Sequence, residues 1–204
     1  MHIIPLGKNY AWEVFFMAIK IFVDQGHNPR NPNAGAEGNG LREQDITYRV
    51  GVELARLLEA DPNFEVRLSR PTPDVVLGIT NAESLAARVN AANSWGADAF
   101  ISIHVNSSNI TSATGSEGYV YNAESPAFQL AGDIIEGISY YTDYPARGVF
   151  VRPSLYVLRR TAMPSTLIEL GFISNPGEAA FMNSQPVLYA RGIYYGIKEF
   201  YGVG

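Results

Sequence analysis

Residues Ile21 to Asp45 read IFVDQGHNPRNPNAGAEGNGLREQD, and their pattern indicates the class of fold. The start of this stretch belongs to a short apolar run, Ile19 to Asp24, which predicts a buried strand ended by a glycine. His27 follows that strand end directly, and a loop rich in Asn, Gly and Pro comes next. Glu43 then stands where a helical pattern begins. The stretch therefore predicts a strand, a polar loop and a helix, with a histidine and an acid at the two turning points.

Strand and helix patterns alternate along the rest of the chain. Apolar periodicity predicts helices over 41–60, 81–95, 126–141 and 186–201, with a short one opening at Ser174-Asn175-Pro176. Short apolar or alternating runs predict strands over 65–70, 99–105, 118–121, 156–160 and 166–172. Such alternation is typical of a mostly parallel sheet covered by helices on both faces, so we expect a single α/β domain.

Composition excludes several functions. The chain has 204 residues and a formal net charge of -5, so binding to nucleic acid through phosphate contacts is not expected. It has no cysteine, which excludes disulfides, thiol catalysis and cysteine zinc sites. Any metal site must therefore use His, Asp or Glu. Only three histidines are present.

The first 16 residues do not fit the pattern of the rest. Met1 to Phe16 carries Glu13 inside its apolar part and lacks a small-residue cleavage site, so it does not read as a secretory signal. Its apolar stretch is too short to span a membrane. Met17 immediately precedes the first predicted strand. We therefore expect an N-terminal extension or a remnant of cloning over 1–16, and the functional domain over 17–204.

Two histidines and one acid could form a metal site. His27 and His104 each lie near the carboxyl end of an apolar strand, where ligands bind in open α/β sheets. Taken singly, each could be a loop histidine satisfied by backbone, and Glu43 could simply favour a helix dipole. Taken together, two imidazoles and one carboxylate are the ligand set of a catalytic zinc site. His2 lies in the extension and is set aside.

Glu169 is the most informative acid in the sequence. It stands at the centre of the apolar run TLIELGF, and burying an unpaired carboxylate is costly. One explanation is a buried ion pair with Arg159 or Arg160. The other is a general base beside a metal site, where burial would raise its pKa toward the working range.

Further polar residues belong to the same rim or to loops. Glu117, at a strand start, is a rival carboxylate that could face the cleft, and we expect it to contact substrate rather than metal. Asn106, just after the second histidine-bearing strand, is the other candidate substrate contact. Arg30 and Arg70 are interpreted as solvated loop charges.

Four segments resemble a known family. VDQGHN, GLREQD, SIHVNSS and PSTLIELGFISNP resemble, in order, the signature blocks of the zinc-dependent N-acetylmuramoyl-L-alanine amidases of the Amidase_3 type. The resemblance implies a mixed six-stranded sheet and one zinc ion bound by His27, Glu43 and His104. It implies Glu169 as catalytic acid/base. The implied substrate is peptidoglycan, cut between N-acetylmuramic acid and L-alanine. One departure is that Asn28-Pro29 follow the first histidine, where the family often has glycines, which predicts a stiffer rim loop.

Other expectations follow from the resemblance. Some families of this type carry a helical plug, but the segment between His104 and Glu169 is filled by predicted strands and one helix. We therefore expect an open site with no obligatory activator. The enzyme would act on the bacterial cell wall as a secreted fragment, a phage-lysis product or a mother-cell enzyme. A zinc carboxypeptidase and a non-catalytic wall-binding module remain as alternatives.

Overall fold

The computed structural model describes residues 2–6, 11–15 and 17–204. Its ten strands are β1 (His2–Leu6), β2 (Ala11–Phe15), β3 (Ile19–Gln25), β4 (Glu37–Gly38), β5 (Leu41–Arg42), β6 (Phe64–Leu68), β7 (Ala99–Asn106), β8 (Ser116–Val120), β9 (Ala146–Val151) and β10 (Ser165–Phe172). The six helices of the described residues are α1 (Glu43–Glu59), α2 (Asn81–Trp95), α3 (Pro126–Thr142), α4 (Tyr156–Arg160), α5 (Pro176–Ser184) and α6 (Pro186–Tyr201).

A six-stranded mixed sheet organises the domain, in the order β6-β3-β7-β10-β8-β9. The first four strands are parallel neighbours. β8 runs antiparallel to β10, and β9 runs parallel to β8. The predicted α/β class and mostly parallel six-stranded sheet are confirmed. The carboxyl ends of β3, β7 and β10 meet at one edge, which is where ligands bind in such sheets.

The two faces of the sheet bury different cores. Alternate side chains of β3 and β7, such as Ile21 and Ile101, enter a large core formed with α1, α3 and α6. The side chains between them, such as Phe22 and Phe100, pack in a smaller core with α2 and α4. The candidate residues on β7 and β10 follow the second alternation. They therefore project from the face that the short helix α4 and α2 cover only in part.

One strand prediction is wrong, and one strand of the sheet was missed. Residues 156–160, predicted as a strand, form helix α4, whose Val157 and Leu158 are buried against the sheet. Five residues are too few to separate a buried helical turn from a strand by periodicity. Strand β9 was not predicted, because its side chains are exposed or half-buried and leave no apolar pattern.

The helix predicted over 41–60 begins later, at Glu43. Residues 37–42 instead form a small antiparallel hairpin, β4–β5, turned by Asn39 and Gly40 with positive φ angles of 51° and 73°. An Asn-Gly pair with positive φ at both positions is the favoured two-residue hairpin turn. The hairpin brings the chain back to the sheet edge just before α1.

The N-terminal segment contributes a separate hairpin. Strands β1 and β2 pair with each other in a two-stranded sheet and take no part in the six-stranded one. The division of the chain into an extension and a functional domain therefore stays a prediction. Within the described residues, no helix is both long and apolar enough to cross a membrane.

Candidate metal and catalytic centre

His27, Glu43 and His104 meet at the carboxyl edge of the sheet. The Nε2 atom of His27 lies 3.1 Å from Oε1 of Glu43, and Nδ1 of His104 lies 3.0 Å from the same oxygen. The two imidazole rings stand edge to face, with centroids 4.8 Å apart. One nitrogen from each histidine and one oxygen from Glu43, all able to bind a metal, therefore lie close together at the edge of the sheet.

Local structure explains how each of the three residues reaches this position. His104 is carried on β7, and Glu43 is the first residue of α1. His27 follows β3 with a positive φ of 67°, a conformation that few residues other than glycine adopt. The chain turns there out of the sheet and toward Glu43.

The loop after His27 is held by a buried side chain. Asn28 is fully buried, and its amide donates to the carbonyls of Pro32 and Leu77 while its oxygen accepts from the Leu77 N–H. It thus ties the rim loop to the loop that follows β6. The asparagine found where the family often has glycine agrees with the stiffer loop expected from the sequence.

The Glu43 carboxylate is oriented by backbone donors. Its Oε1 accepts a hydrogen bond from the Val105 N–H at 2.9 Å, and its Oε2 accepts one from the Ala36 N–H at 2.9 Å. Burial alone would raise the pKa of Glu43, but its hydrogen bonds to His104 and His27 lower that pKa well below its usual range. Glu43 is therefore ionised, as a metal-binding carboxylate must be.

Two glycines leave room for these side chains. A Cβ atom added to Gly26 would lie 2.6 Å from the His104 ring, and one added to Gly35 would lie 2.8 Å from the Glu43 carboxylate. Neither distance is compatible with a real side chain. The backbone at these two glycines therefore lies in close contact with all three clustered residues, because a Cβ at Gly35 would also lie 2.8 Å from Cδ2 of His27.

The cluster fits a metal ion by its chemistry and geometry. Its three candidate ligand atoms lie within 4.8 Å of one another. Two imidazole nitrogens and one carboxylate match a catalytic zinc site that leaves a position for water, whereas calcium and magnesium prefer oxygen ligands. The three residues could therefore bind one divalent ion of the zinc type.

Glu169 lies beside the cluster on β10. In the sheet register it pairs with His104 on one side and Glu117 on the other, so the three side chains project from the same face. Its Oε2 atom is buried and has no hydrogen-bond partner among the described residues. Burial, with added repulsion from Glu43 and Glu117, raises the pKa of Glu169 well above its ordinary value.

The alternative ion pair for Glu169 does not form in the described part of the chain. Arg159 and Arg160 end helix α4, and both side chains are exposed. No salt bridge within residues 17–204 involves Glu169. The carboxylate at the centre of TLIELGF is therefore not explained by a structural partner.

Glu117 and Asn106 lie together next to Glu169. Glu117 forms an ion pair with Arg147, with Nε 2.7 Å from Oε1, and accepts a hydrogen bond from the Tyr119 hydroxyl at 2.6 Å. Its Oε2 also accepts from the Asn106 amide at 3.2 Å. Both predicted substrate contacts therefore lie at the rim, but Glu117 is already fully engaged by neighbouring side chains.

A narrow cleft of about 170 Å³ opens beside the two histidines. Its apolar walls come from α2 and from the segment around α4, including Leu85, Leu155 and Tyr156. The sequence predicts an open site at the strand ends. It does not predict these walls, because residues 156–160 were predicted as a strand and not as the helix that lines the cleft.

Two buried arginines next to the cluster were misjudged or missed. Arg70, interpreted as a solvated loop charge, is 1% exposed, whereas Arg30 is exposed as expected. Arg88, also 1% exposed, was not singled out. A signal was present, because Arg88 falls on the same helical stripe as Leu85 and Val89, a position where an apolar residue is expected.

Comparisons of the sequence find relatives in a single family. The profile of the family described as N-acetylmuramoyl-L-alanine amidase matches residues 21–199. The N-acetylmuramoyl-L-alanine amidase CwlM of Bacillus licheniformis is 37% identical over 185 residues, covering 89% of this chain and 68% of that protein. A sporulation-specific N-acetylmuramoyl-L-alanine amidase of Bacillus subtilis is 35% identical over the same shares.

A solved structure has the same fold. The catalytic domain of CwlV, an N-acetylmuramoyl-L-alanine amidase from Bacillus (Paenibacillus) polymyxa var. colistinus, superposes with a TM-score of 0.78 at 29% identity. The match covers 91% of this chain and 99% of that domain.

Proposed function

The chain belongs to the N-acetylmuramoyl-L-alanine amidase family, and from that premise we propose how its residues hydrolyse the amide between N-acetylmuramic acid and L-alanine in peptidoglycan. One observation carries the proposal. A half-buried carboxylate, Glu169, whose buried Oε2 atom has no hydrogen-bond partner in the described chain, lies in register with one histidine of a His-Glu-His cluster. The bacterial cell wall is where such an enzyme acts.

The proposal assigns one zinc ion to His27, Glu43 and His104. The set offers two imidazole nitrogens and one carboxylate, and hydrogen bonds from the neighbouring histidines keep Glu43 ionised. When bound, zinc supplies Lewis-acid chemistry, lowering the pKa of water and polarising a carbonyl. The backbone donors on Glu43 and the close approach of Gly26 and Gly35 keep the three side chains in place.

Glu169 is proposed as the general base and acid. Its raised pKa suits a group that must both take and return a proton near neutral pH. It takes a proton from the attacking water and delivers it to the amide nitrogen of the leaving L-alanine. The absence of an ion-pair partner in the described residues leaves this carboxylate free to change charge.

Asn106 and Glu117 are proposed to contact the substrate near Glu169. Their side chains hydrogen-bond each other at the end of β7 and the start of β8. Glu117 also adds to the electrostatic repulsion that raises the pKa of Glu169. Its ion pair with Arg147 fixes the carboxylate, so a contact with substrate would come from this fixed group rather than from a mobile one. We propose that the site acts without an obligatory activator.

Digestion of purified peptidoglycan tests the proposal. The expected products are peptides with a free L-alanine amino group and uncut glycan chains, identified by mass spectrometry. A chelator should abolish their release and added zinc should restore it, with one zinc per chain by elemental analysis. New reducing sugars, cleavage within the stem peptide, or wall binding without release would each contradict the amidase mechanism. Full activity in metal-free protein would contradict the metal assignment.

A further inference from the structure

Three consecutive backbone carbonyls, those of Gln25, Gly26 and His27, accept hydrogen bonds from buried arginine side chains. These carbonyls lie at the end of β3, where the chain leaves the sheet and presents His27. The donors are Arg70, just after β6, and Arg88, in the middle of α2. Both arginines are among the largest fully buried side chains of the described residues.

Arg88 holds Gln25, the last residue of β3, and His27, two residues further on. Its Nη2 donates to the His27 carbonyl at 2.5 Å, and its Nη1 donates to the Gln25 carbonyl at 2.6 Å. Its charge is balanced by the Asp24 carboxylate, which in turn accepts from the Ser102 hydroxyl at 2.8 Å. The ion pair and the carbonyl bonds fix the guanidinium against the strand.

Arg70 joins the strand end to helix α1. Its Nη2 donates to the Gln44 carbonyl at 2.9 Å, and it reaches the carbonyls of Gly26 and Gln25 at 3.4 and 3.3 Å. Thr47 completes the link, because its hydroxyl donates to the Gly26 carbonyl at 2.9 Å. Gln44 directly follows Glu43, so this one side chain spans the two segments that carry His27 and Glu43.

Arg70 is costly to keep, which indicates that it has a purpose. Every hydrogen-bond acceptor it contacts in the described chain is neutral, and no carboxylate forms an ion pair with it there. Burial and the neighbouring Arg88 lower the pKa of Arg70 to about 10, so it remains charged at neutral pH. A buried charge without an ion-pair partner is expected to lower the stability of the fold. A role for its hydrogen bonds to the strand end would explain why the residue is kept.

We propose that Arg70 and Arg88 are positioning residues that fix the His27 backbone and its distance from Glu43. This inference rests on the proposed function only in taking His27 and Glu43 as zinc ligands. His27 adopts a left-handed conformation outside the sheet ladder, so hydrogen bonds within the sheet do not hold it. Metal ligands must be held within about 0.5 Å of their working geometry, and the two guanidinium groups supply that restraint.

The test compares Arg70→Lys and Arg88→Lys with the wild-type chain. Lysine keeps the positive charge but cannot reach several carbonyls with one rigid fork. We expect zinc affinity, measured by competition with a chelator, to fall about 10- to 100-fold, as for other outer partners of metal ligands. The visible spectrum of the cobalt-loaded protein should also change, because it reports ligand geometry rather than stability.

Leu130→Ala provides the matched control. Leu130 is fully buried in helix α3, which carries none of the clustered residues, so its removal lowers the melting temperature without touching the centre. It should bind zinc with wild-type affinity and give the wild-type cobalt spectrum. An equal loss of affinity in Leu130→Ala would show that stability alone explains the arginine variants.

A milder variant covers the case in which the lysine proteins do not fold. Thr47→Val removes the hydrogen bond that the Thr47 hydroxyl donates to the Gly26 carbonyl and the one that it accepts from Arg70 Nη2, while nearly keeping the side-chain shape. One such bond corresponds to about a 2- to 10-fold weaker zinc affinity. Wild-type affinity in the arginine variants, or in Thr47→Val where those do not fold, would overturn the inference.

These measurements distinguish a failure of the arginine positioning role from a failure of the zinc-ligand assignment. If the wild-type chain binds no zinc, or His27→Ala binds it equally well, the ligand assignment itself fails. If the wild-type chain binds zinc, His27→Ala does not, and the arginine variants match wild type, only the positioning role fails.

Discussion

Glu169 lies directly beside His104 in the register of β10 and β7, so an acid with a buried Oε2 atom and a candidate metal ligand share one row of the sheet. Glu117 occupies the same row on the other side. Side chains paired in this way project from one face and lie close together. The position of Glu169 thus explains its chemistry, because burial and the nearby carboxylates both disfavour its ionised form.

Glu169→Gln should therefore separate proton transfer from metal binding. Glutamine keeps the shape of the side chain but cannot take a proton. We expect the variant to keep its zinc and its melting temperature while hydrolysis slows by about 10²- to 10⁴-fold, the usual worth of a positioned acid or base. Zinc content, thermal melting and peptide release from cell walls measure the three quantities. Turnover close to wild type would remove Glu169 from the mechanism.

Glu43→Gln is the counterpart and should fail differently. Its carboxylate lies between two imidazoles and accepts two backbone hydrogen bonds, so a neutral amide should weaken metal binding. Activity should fall as a consequence and recover in part when excess zinc is supplied. A Glu43→Gln protein that is inactive yet fully loaded with zinc would contradict the ligand role.

The sequence was sufficient for the parts of the fold that are buried and periodic. The strand 99–105 and the helix 81–95 were predicted nearly to their bounds, because apolar runs and capping residues mark them clearly. β9 left no such signal, since it is an exposed edge strand, and α4 was too short for its period to be recognised.

The candidate site was predictable for a different reason. Residues at the carboxyl ends of neighbouring parallel strands must meet, so His27 and His104 could be brought together without knowing the loops. The roles of these residues remain predictions. Arg70 could not be placed in the same way, because its partners are backbone carbonyls, and those leave no trace in side-chain patterns.

The Asp24–Arg88 ion pair predicts a specific acid sensitivity. Burial raises the pKa of Asp24, but the charge and hydrogen bond of Arg88 together with hydrogen bonds from Ser102 and Ser69 lower it by more, so the net folded pKa lies below its ordinary value. Because the pKa of Asp24 is lower in the folded chain than in the unfolded chain, where it is about 3.9, ionised Asp24 adds to the free energy of unfolding above that pH. This contribution is lost as the pH falls from the unfolded pKa through the folded pKa. Asp24→Asn should cost about 3–5 kcal/mol at neutral pH, because it leaves Arg88 buried without a counter-charge. The difference between the two proteins should shrink below about pH 4.

Denaturant unfolding of both proteins across this pH range measures the effect. Asp45→Asn is the control, because Asp45 forms an exposed ion pair with Arg42 and its loss should cost no more than about 1 kcal/mol. A constant difference between wild type and Asp24→Asn from pH 7 down to pH 2 would show that the buried pair does not titrate in this way.

Deletion of residues 1–16 should leave the domain intact. The family profile begins at residue 21, and β1 and β2 are absent from the six-stranded sheet. The shortened chain should keep the melting temperature and the wall hydrolysis of the full chain. Deletion of residues 1–20 is the contrasting case, because it removes the backbone N–H groups of Ile19 and Lys20, which bond to Asn63 and Asp98. If the protein that lacks residues 1–16 aggregates, the extension belongs to the fold.

Gly26→Ala tests whether close packing behind the centre keeps His104 in place. The new Cβ would lie 2.6 Å from the His104 ring and from the Ile103 carbonyl, and the backbone carbonyl has little freedom to move away. The imidazole should therefore shift, weakening zinc binding, and overpacking should cost about 1–3 kcal/mol of stability.

Gly132→Ala is the matched control, since a Cβ there meets nothing within 4 Å. In helix α3 that change should stabilise the protein by about 0.5–1 kcal/mol and leave zinc affinity unchanged. Equal zinc affinity in the two alanine variants would show that His104 does not depend on the space at Gly26.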